Sequence, residues 1–173
     1  IPYSKLALTT GARVRKLSLP GCDLEGVFYL RDLNDVNRIR GFIGHGKSAV
    51  IVGGGYIGLE TAASMRKLGM NVTVLEALPR VLQRVTAPEV SAFYSRVHGE
   101  EGVRIITDAV VEALEGKSAV TAVKLADGTT LNADVVVIGV GVIPETELAE
   151  QAGLAVDNGI VVDVAALAGG ART

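Results

Sequence analysis

Apolar residues follow two kinds of pattern along the middle of the chain. Runs of β-branched and other apolar residues predict strands, and the continuous run at 48–52 indicates a strand that is buried on both faces. These runs occupy 48–52, 71–75, 103–106 and 134–138. Helical spacing of apolar residues predicts helices at 56–68 and 88–98, and Gly69 is suited to end the first of them. The alternation predicts an α/β fold built on a parallel sheet.

The pattern changes between the third and fourth of these runs. Three short segments of alternating apolar and polar residues, 109–114, 119–125 and 129–131, are separated by turn-forming sequences. They predict an antiparallel three-stranded β-meander where a crossover helix would otherwise stand. The predicted fold class is therefore a Rossmann-like parallel sheet with helices and an antiparallel three-stranded β-meander crossover.

Weaker signals lie toward the two ends of the chain. Asp32 has the character of a helix N-cap, and Pro20-Gly21 is typical of a loop. The elements expected here are strands at 5–9, 26–30 and 159–164, a loop over 13–26, and helices ending at Arg40 and spanning 145–153.

Composition narrows the function classes. The 173 residues carry a net charge of -2 with no basic cluster, which argues against nucleic acid as a partner. The mean hydropathy of +0.38 is high, yet no apolar run reaches the roughly 18 residues that span a bilayer. We therefore attribute the excess to buried strands or a covered interface and predict no membrane partner.

The residues available for covalent or metal chemistry are few. Cys22 is the single cysteine, which leaves no disulfide framework, CxxC redox pair or cysteine-rich metal site. His45 and His98 are too far apart in the sequence to suggest zinc. No signal peptide is visible, so we expect a cytoplasmic location.

A glycine-rich turn, GGGYIG, joins the first of the continuous runs to the helix that follows it. Gly53-x-Gly55-x-x-Gly58 fits the dinucleotide fingerprint, and Gly54 and Tyr56 fill the intervening positions. The first glycine permits a tight turn, the second lets the backbone approach a pyrophosphate, and the third lets helix and strand pack closely. The strand-turn-helix context predicts a pyrophosphate at the helix N-terminus.

Glu76 closes the next strand, VTVLE, about 20 residues beyond the fingerprint, where a ribose diol would lie. A carboxylate there accepts hydrogen bonds from a 2′-hydroxyl and repels a 2′-phosphate, which predicts NAD(H) rather than NADP(H). Either Arg80 or Arg84 could reach the adenosine phosphates or stack on adenine, and a solvated loop arginine fits both equally well. Glu60 either complements the helix dipole or points toward the nicotinamide carboxamide.

Two stretches, GGGYIGLETAASMRKLGMNVTVLEALPRVLQR and ADVVVIGVGVIPETELAEQAGL, resemble the NADH-dependent ferredoxin and rubredoxin reductases. These form the putidaredoxin-reductase-like branch of the flavoproteins with two dinucleotide-binding domains. The resemblance runs from about Tyr3 to about Val162. It implies that Ile57 and Glu60 lie on the nicotinamide side.

The same resemblance assigns three further positions. It places Glu76 at the adenosine ribose and brings the backbone of Val140-Gly141 close to NAD. It also makes Arg13, in LALTTGARVR, an FAD contact. Glu145 stands where the family has Asn, so no role is carried over to it.

In this family an FAD domain is interrupted by the NADH domain. The resemblance implies that residues 1–40 are a remnant of the FAD domain with a linker, 41–158 the NADH-binding domain, and 159–173 the start of a second FAD segment with an atypical tail. The first FAD fingerprint is not present in the sequence. We therefore expect this chain alone to bind NAD(H) with little or no reductase turnover.

The implied function of the intact enzyme is the transfer of electrons from NADH through FAD to a ferredoxin or rubredoxin. Hydride transfer between nicotinamide and flavin requires positioning rather than a protein acid or base, so no catalytic residue is predicted. Two alternatives stay open at this point. One is a non-catalytic NAD(H)-binding redox sensor, and the other is the NADH domain of a disulfide-reductase-like or apoptosis-inducing-factor-like flavoprotein.

Overall fold

A computed structural model describes residues 2–163 of the chain. The strands are β1 Ala12–Val14, β2 Val27–Tyr29, β3 Ser48–Val52, β4 Asn71–Leu75, β5 Arg104–Ile106, β6 Val111–Gly116, β7 Val120–Leu125, β8 Thr130–Asn132, β9 Val135–Ile138 and β10 Val142–Pro144. The helices are α1 Leu33–Arg40, α2 Tyr56–Lys67, α3 Pro88–Glu100 and α4 Glu147–Gln151. The chain divides into two compact units, a larger one from Val14 to Gly141 and a smaller one formed by residues 2–13 and 142–163.

The larger unit is built on a parallel sheet of five strands in the order β2-β9-β3-β4-β5. Successive residues of β3 enter two different apolar clusters, because side chains alternate between the faces of a sheet. Ile51 packs with Leu59 and Met65 of α2 on one face. Val50 packs with Val123 of β7 on the other. Both faces are covered, which explains the continuous apolar runs.

The antiparallel meander β6-β7-β8 connects β5 to β9. Leu114, Val120, Val123 and Leu125 of the meander are buried and belong to the apolar cluster that also holds Val50. The meander therefore covers the sheet face that a crossover helix would occupy in a regular βαβ unit. The predicted fold class, a Rossmann-like parallel sheet with this meander as crossover, is confirmed.

The start of α1 and the end of α2 follow from local backbone chemistry. The Asp32 carboxylate accepts the backbone N–H groups of Asn34 and Asp35, and the Asp35 carboxylate bonds back to the Asp32 N–H, which forms a capping box at the start of α1. Gly69, with φ at +85°, follows the end of α2 in the left-handed conformation that favours glycine.

The first forty residues do not form a separate block. β2 joins the central sheet through β9, and α1 packs beside β2, so both belong to the larger unit. The predicted start of the NADH domain at residue 41 therefore falls inside the larger unit.

The smaller unit differs most from expectation. No strand forms over 5–9, where all but one residue are exposed. Instead β1 pairs with β10 in a two-stranded sheet, and the Glu145 N–H donates to the Gly11 carbonyl at 3.0 Å. The expected loop at 13–26 therefore begins inside β1, and β10 was not predicted.

The predictions for the C-terminal region also need correction. Helix α4 is shorter than the predicted 145–153. No strand forms over 159–163, and only a single antiparallel bridge links Val156 with Ile160; the predicted end of that strand, Val164, lies outside the described residues. None of the helices in residues 2–163 is long and apolar enough to cross a membrane.

Candidate functional site

The glycine-rich turn between β3 and α2 is packed against its neighbours at two positions. A Cβ at Gly53 would lie 2.4 Å from the Gly139 carbonyl oxygen, and its φ of +111° already disfavours a side chain. A Cβ at Gly58 would lie 2.0 Å from the Gly53 oxygen. These two glycines let helix α2 and the end of β9 approach the turn.

Gly55 plays a different part from the other glycines of the turn. It is the N-cap of α2, in extended backbone, with no side-chain cap on the helix. A Cβ there would meet nothing within 4 Å. The N–H groups of the first helical turn have no acceptor within the helix, so an open, positively polarised space lies in front of Gly55. Such a space suits an anion.

Glu76 follows β4 and is fixed against the turn. One carboxylate oxygen accepts the Gly54 N–H at 2.7 Å, and the other accepts the Leu78 N–H at 2.9 Å. Each oxygen keeps a further lone pair for another donor. The acidic group is thus held at the glycine-rich turn by two backbone hydrogen bonds.

A cleft of about 500 Å³ lies over this region of the larger unit. Seven of the residues predicted from the sequence line it: Gly53, Gly55, Tyr56, Glu76, Arg84, Val140 and Gly141. Much of the remaining lining is apolar and was not predicted, including Leu17, Leu78, Leu82 and Val110. The closeness of Leu78 and Leu82 to Glu76 in the sequence was the available signal for those two.

A second cavity, of about 590 Å³, lies beside β2 and α1 and is lined by residues such as Cys22, Tyr29 and Arg38. It contains neither the glycine-rich turn nor Glu76. The smaller cleft is therefore the candidate nucleotide site, because it alone of the two combines the open helix N-terminus with the fixed carboxylate.

Five predicted residues do not line the cleft. Gly54 and Gly58 lie within the turn as packing positions. Ile57 is 42% exposed, and Glu60 is also exposed, on the first turns of α2. Arg13 belongs to the smaller unit.

Arg13 is engaged by two carboxylates of its own unit. Its Nη1 donates to Glu145 at 2.5 Å and to Glu147 at 2.8 Å. The hydrogen bond to Glu147 and the charge of Glu145 raise the pKa of Arg13 above its usual value. Half of the Arg13 side chain is exposed, so the ion pairs are screened by water.

The structure separates the two arginines that the sequence left equivalent. Arg84 lines the cleft. The Arg80 guanidinium instead donates to the Thr86 carbonyl, the Gln83 carbonyl and the Ser91 hydroxyl. Arg84 is therefore the arginine that is placed to meet a ligand.

No group of three or more His, Cys, Asp or Glu side chains that could hold a metal ion is present within residues 2–163. The fold and the glycine-rich turn define a Rossmann-type, dinucleotide-binding class of protein. The family described as pyridine nucleotide-disulphide oxidoreductase matches residues 1–166, and the chain belongs to that family.

Individual relatives refine this assignment. The chain is 47% identical over 169 residues to putidaredoxin reductase CamA of Pseudomonas putida, covering 94% of this chain and 40% of the relative. It is 41% identical over 162 residues to a rubredoxin-NAD(+) reductase of the same species, covering 93% and 42%. The resemblance to ferredoxin and rubredoxin reductases is thereby confirmed.

A solved structure agrees with the sequence comparisons. The reductase in the covalent putidaredoxin reductase–putidaredoxin complex superimposes with a TM-score of 0.87 at 48% identity, over 92% of this chain and 40% of that chain. The chain thus spans about two fifths of the length of the relatives that it matches.

Proposed function

We propose that this chain carries the NAD(H)-binding part of an FAD-dependent reductase that passes electrons from NADH through flavin to a ferredoxin or rubredoxin. The observation that carries the proposal is the Glu76 carboxylate, held at the glycine-rich turn within a cleft that opens in front of Gly55. The names of the relatives, a putidaredoxin reductase and a rubredoxin-NAD(+) reductase, support the choice of electron acceptor.

The residues present fit a dinucleotide at its adenosine end. The open N-terminus of α2 at Gly55 would hold the pyrophosphate. Glu76 would accept hydrogen bonds from the adenosine ribose hydroxyls and repel a 2′-phosphate, so NAD(H) is favoured. Arg84 lies along the cleft where the adenosine phosphates or adenine would pass.

The resemblance and the lining of the cleft support a proposal for the nicotinamide end. Val140 and Gly141 line the cleft beyond β9, and their backbone would pass close to NAD. Ile57 and Glu60 would face the nicotinamide from α2. When bound, the nicotinamide supplies the hydride, and these residues position it; none acts as an acid or base.

The domain assignment and the flavin follow from the resemblance. We propose that residues 41–158, together with β2 and α1, form the NADH-binding domain, and that the remaining stretches of 1–40 and 159–173 belong with the FAD domain. Arg13 is the described residue proposed for FAD. Its Nη1 already donates to two carboxylates, so the residues around Arg13 do not form a cradle for a phosphate of FAD. We place the enzyme in the cytoplasm.

The nucleotide assignment is tested by calorimetric titration of the protein with NADH and NADPH. We expect NADH to bind more tightly. Glu76→Ala should raise the Kd for NADH about 10- to 150-fold, which is the equivalent of one hydrogen bond to a charged group. It should also reduce the preference for NADH over NADPH. Glu112→Ala removes an exposed meander carboxylate paired with Lys124 and should leave both affinities unchanged. Equal affinity of the unaltered protein for NADH and NADPH contradicts the assignment.

The electron-transfer assignment is tested on the intact enzyme that contains these residues. Its NADH oxidation should depend on FAD and should be accelerated by a ferredoxin or a rubredoxin. Acceleration by a disulfide substrate, with no response to either electron carrier, would favour the disulfide-reductase alternative. NADH binding without oxidation in the presence of FAD and either carrier would favour a sensor.

A further inference from the structure

The loop over residues 77–87, which follows Glu76, is bonded to the glycine-rich turn as well as lining the cleft. The Leu82 N–H donates to the Gly54 carbonyl at 2.9 Å, while the Gly54 N–H donates to Glu76. Gly54 is therefore held from both sides. Leu82 has φ at +55°, and its side chain is 3% exposed. An uncommon backbone conformation for a buried leucine requires support from its surroundings.

Arg80 supplies that support from inside the loop. Its guanidinium donates to the Thr86 carbonyl at 2.9 Å, the Gln83 carbonyl at 3.1 Å and the Ser91 hydroxyl at 2.7 Å. These acceptors surround a planar fork of donors, a geometry that guanidinium matches and ammonium does not. The loop is thus folded around the guanidinium of its own residue Arg80.

Ser91 connects this arrangement to helix α3. It is 1% exposed, and its hydroxyl donates to the Val81 carbonyl at 2.6 Å while accepting from Arg80. Thr86 Oγ1 lies 3.3 Å from the same hydroxyl. The loop is therefore attached to helix α3 through the buried hydrogen bond from Ser91 to Val81, and such buried polar groups are costly to leave unsatisfied.

Neither Arg80 nor Ser91 lines the cleft, whereas Leu78, Leu82 and Arg84 of the same loop do. We propose that Arg80 and Ser91 are positioning residues for the adenosine end of the bound dinucleotide. They fix the backbone of residues 77–87, and through Leu82 they fix Gly54 and the turn that receives the pyrophosphate. This inference rests on the proposed NAD(H) binding.

Arg66 offers a matched control. It is partly buried, like Arg80, and its guanidinium donates to backbone carbonyls of Glu101 at 3.0 Å and Met70 at 3.1 Å. It lies near the end of α2 opposite the glycine-rich turn and does not line the cleft. Arg80→Met and Arg66→Met therefore each remove a guanidinium that holds backbone carbonyls, but only Arg80→Met releases the cleft loop.

The experiment measures ADP-ribose and NADH binding by calorimetry, and the melting temperature of each variant. ADP-ribose reports the adenosine half alone. We expect both methionine variants to melt at lower temperature, and Arg80→Met alone to raise the Kd for ADP-ribose about tenfold, because lost preorganisation is recovered only at the expense of binding. The Kd of Arg80→Met for NADH should rise by the same factor. Arg80→Lys should give an intermediate Kd, since ammonium reaches some of the acceptors.

Ser91→Ala keeps Arg80 and removes only the buried hydroxyl, so it tests the proposal in a milder background should Arg80→Met fold poorly. We expect a several-fold rise in the ADP-ribose Kd. Unchanged affinity in both Ser91→Ala and Arg80→Lys overturns the proposal, as does an equal loss in Arg66→Met. If the unaltered protein binds neither ADP-ribose nor NADH, the proposed nucleotide function itself fails, which is a separate result.

Discussion

Replacing Gly55 with alanine should abolish most nucleotide binding while leaving the fold almost undisturbed. The backbone at Gly55 has φ −79° and ψ −179°, a conformation open to any residue. An added Cβ meets no protein atom within 4 Å. The methyl group would therefore enter only the space that we assign to the pyrophosphate.

Two small and opposing effects act on the free energy of unfolding of Gly55→Ala, and one larger effect acts on its affinity for NADH. Alanine is a poorer N-cap than glycine, while losing a glycine stabilises by about 0.4–1 kcal/mol through the unfolded chain. These nearly cancel, so the free energy of unfolding should change by no more than about 0.5 kcal/mol. Displacing the pyrophosphate from one charge-assisted hydrogen bond costs about 1.5–3 kcal/mol, or about 10- to 150-fold in the Kd for NADH.

The assay pairs urea unfolding with NADH titration across three glycine variants. At Gly58, a Cβ would lie 2.0 Å from a backbone oxygen, so Gly58→Ala should destabilise by about 1–3 kcal/mol or more. At Gly99 on α3 nothing lies within 4 Å, so Gly99→Ala should stabilise by about 0.5–1 kcal/mol and leave binding unchanged. Unaltered NADH affinity in Gly55→Ala would refute the placement of the pyrophosphate.

Two further predictions concern stability. Asp32→Ala removes the capping box of α1 and should cost about 1 kcal/mol in urea unfolding, with NADH affinity unchanged; a loss of affinity would show that α1 influences the cleft. Burial lowers the pKa of His98 below its usual 6.5, so the unfolded state binds more protons just below that pH. Stability should therefore be full above about pH 6.5 and decline as pH falls toward the lowered pKa. His98→Gln should flatten this decline, and an equally steep slope in the variant would assign it to other groups.

The central sheet could be predicted from the sequence because its strands are covered on both faces. The run 48–52 is apolar apart from Ser48 and coincides with β3, and the run 71–75, whose Val72, Val74 and Leu75 are buried, coincides with β4. Asp32 and Gly69 supplied local chemistry that fixes a helix start and a helix end without reference to distant residues. The meander could be predicted from its alternating apolar and polar residues and from the turn-forming sequences between its strands.

The elements that the sequence did not predict correctly depend on strand pairing with residues far away along the chain. β1 and β10 are three residues each and pair with one another across more than 120 residues, so neither carries a periodic signal of its own. The run 5–9 is apolar enough to suggest a strand, yet it has no strand neighbour within residues 2–163. Apolar alternation cannot supply the hydrogen-bonding edge that a strand needs.

The candidate site was predictable in its glycines and in Glu76, and was ambiguous in its arginines. Arg80 and Arg84 are four residues apart in the same loop, and nothing in their spacing separates them. The backbone at Leu82, with φ at +55°, helps to set the course of the loop between them. The pattern of apolar residues does not predict a positive φ at Leu82, since leucine rarely adopts that backbone conformation.

The packing around the glycine-rich turn also determines which of its positions can evolve. A side chain at Gly53 or Gly58 would strike backbone oxygens, those of Gly139 and Gly53, and no change of a neighbouring side chain removes a carbonyl. A side chain at Gly54 would instead meet side-chain atoms, Val81 Cγ1 at 2.9 Å, Glu76 Oε2 at 3.0 Å and Glu76 Cβ at 3.1 Å, so a smaller residue at position 81 would relieve only part of the crowding. A substitution at 54 should therefore require changes at both 76 and 81, and a change at 76 would alter the proposed nucleotide preference, while no neighbouring side chain can compensate for a substitution at 53 or 58. Among the descendants of this sequence, positions 54, 76 and 81 should covary, and positions 53 and 58 should stay glycine.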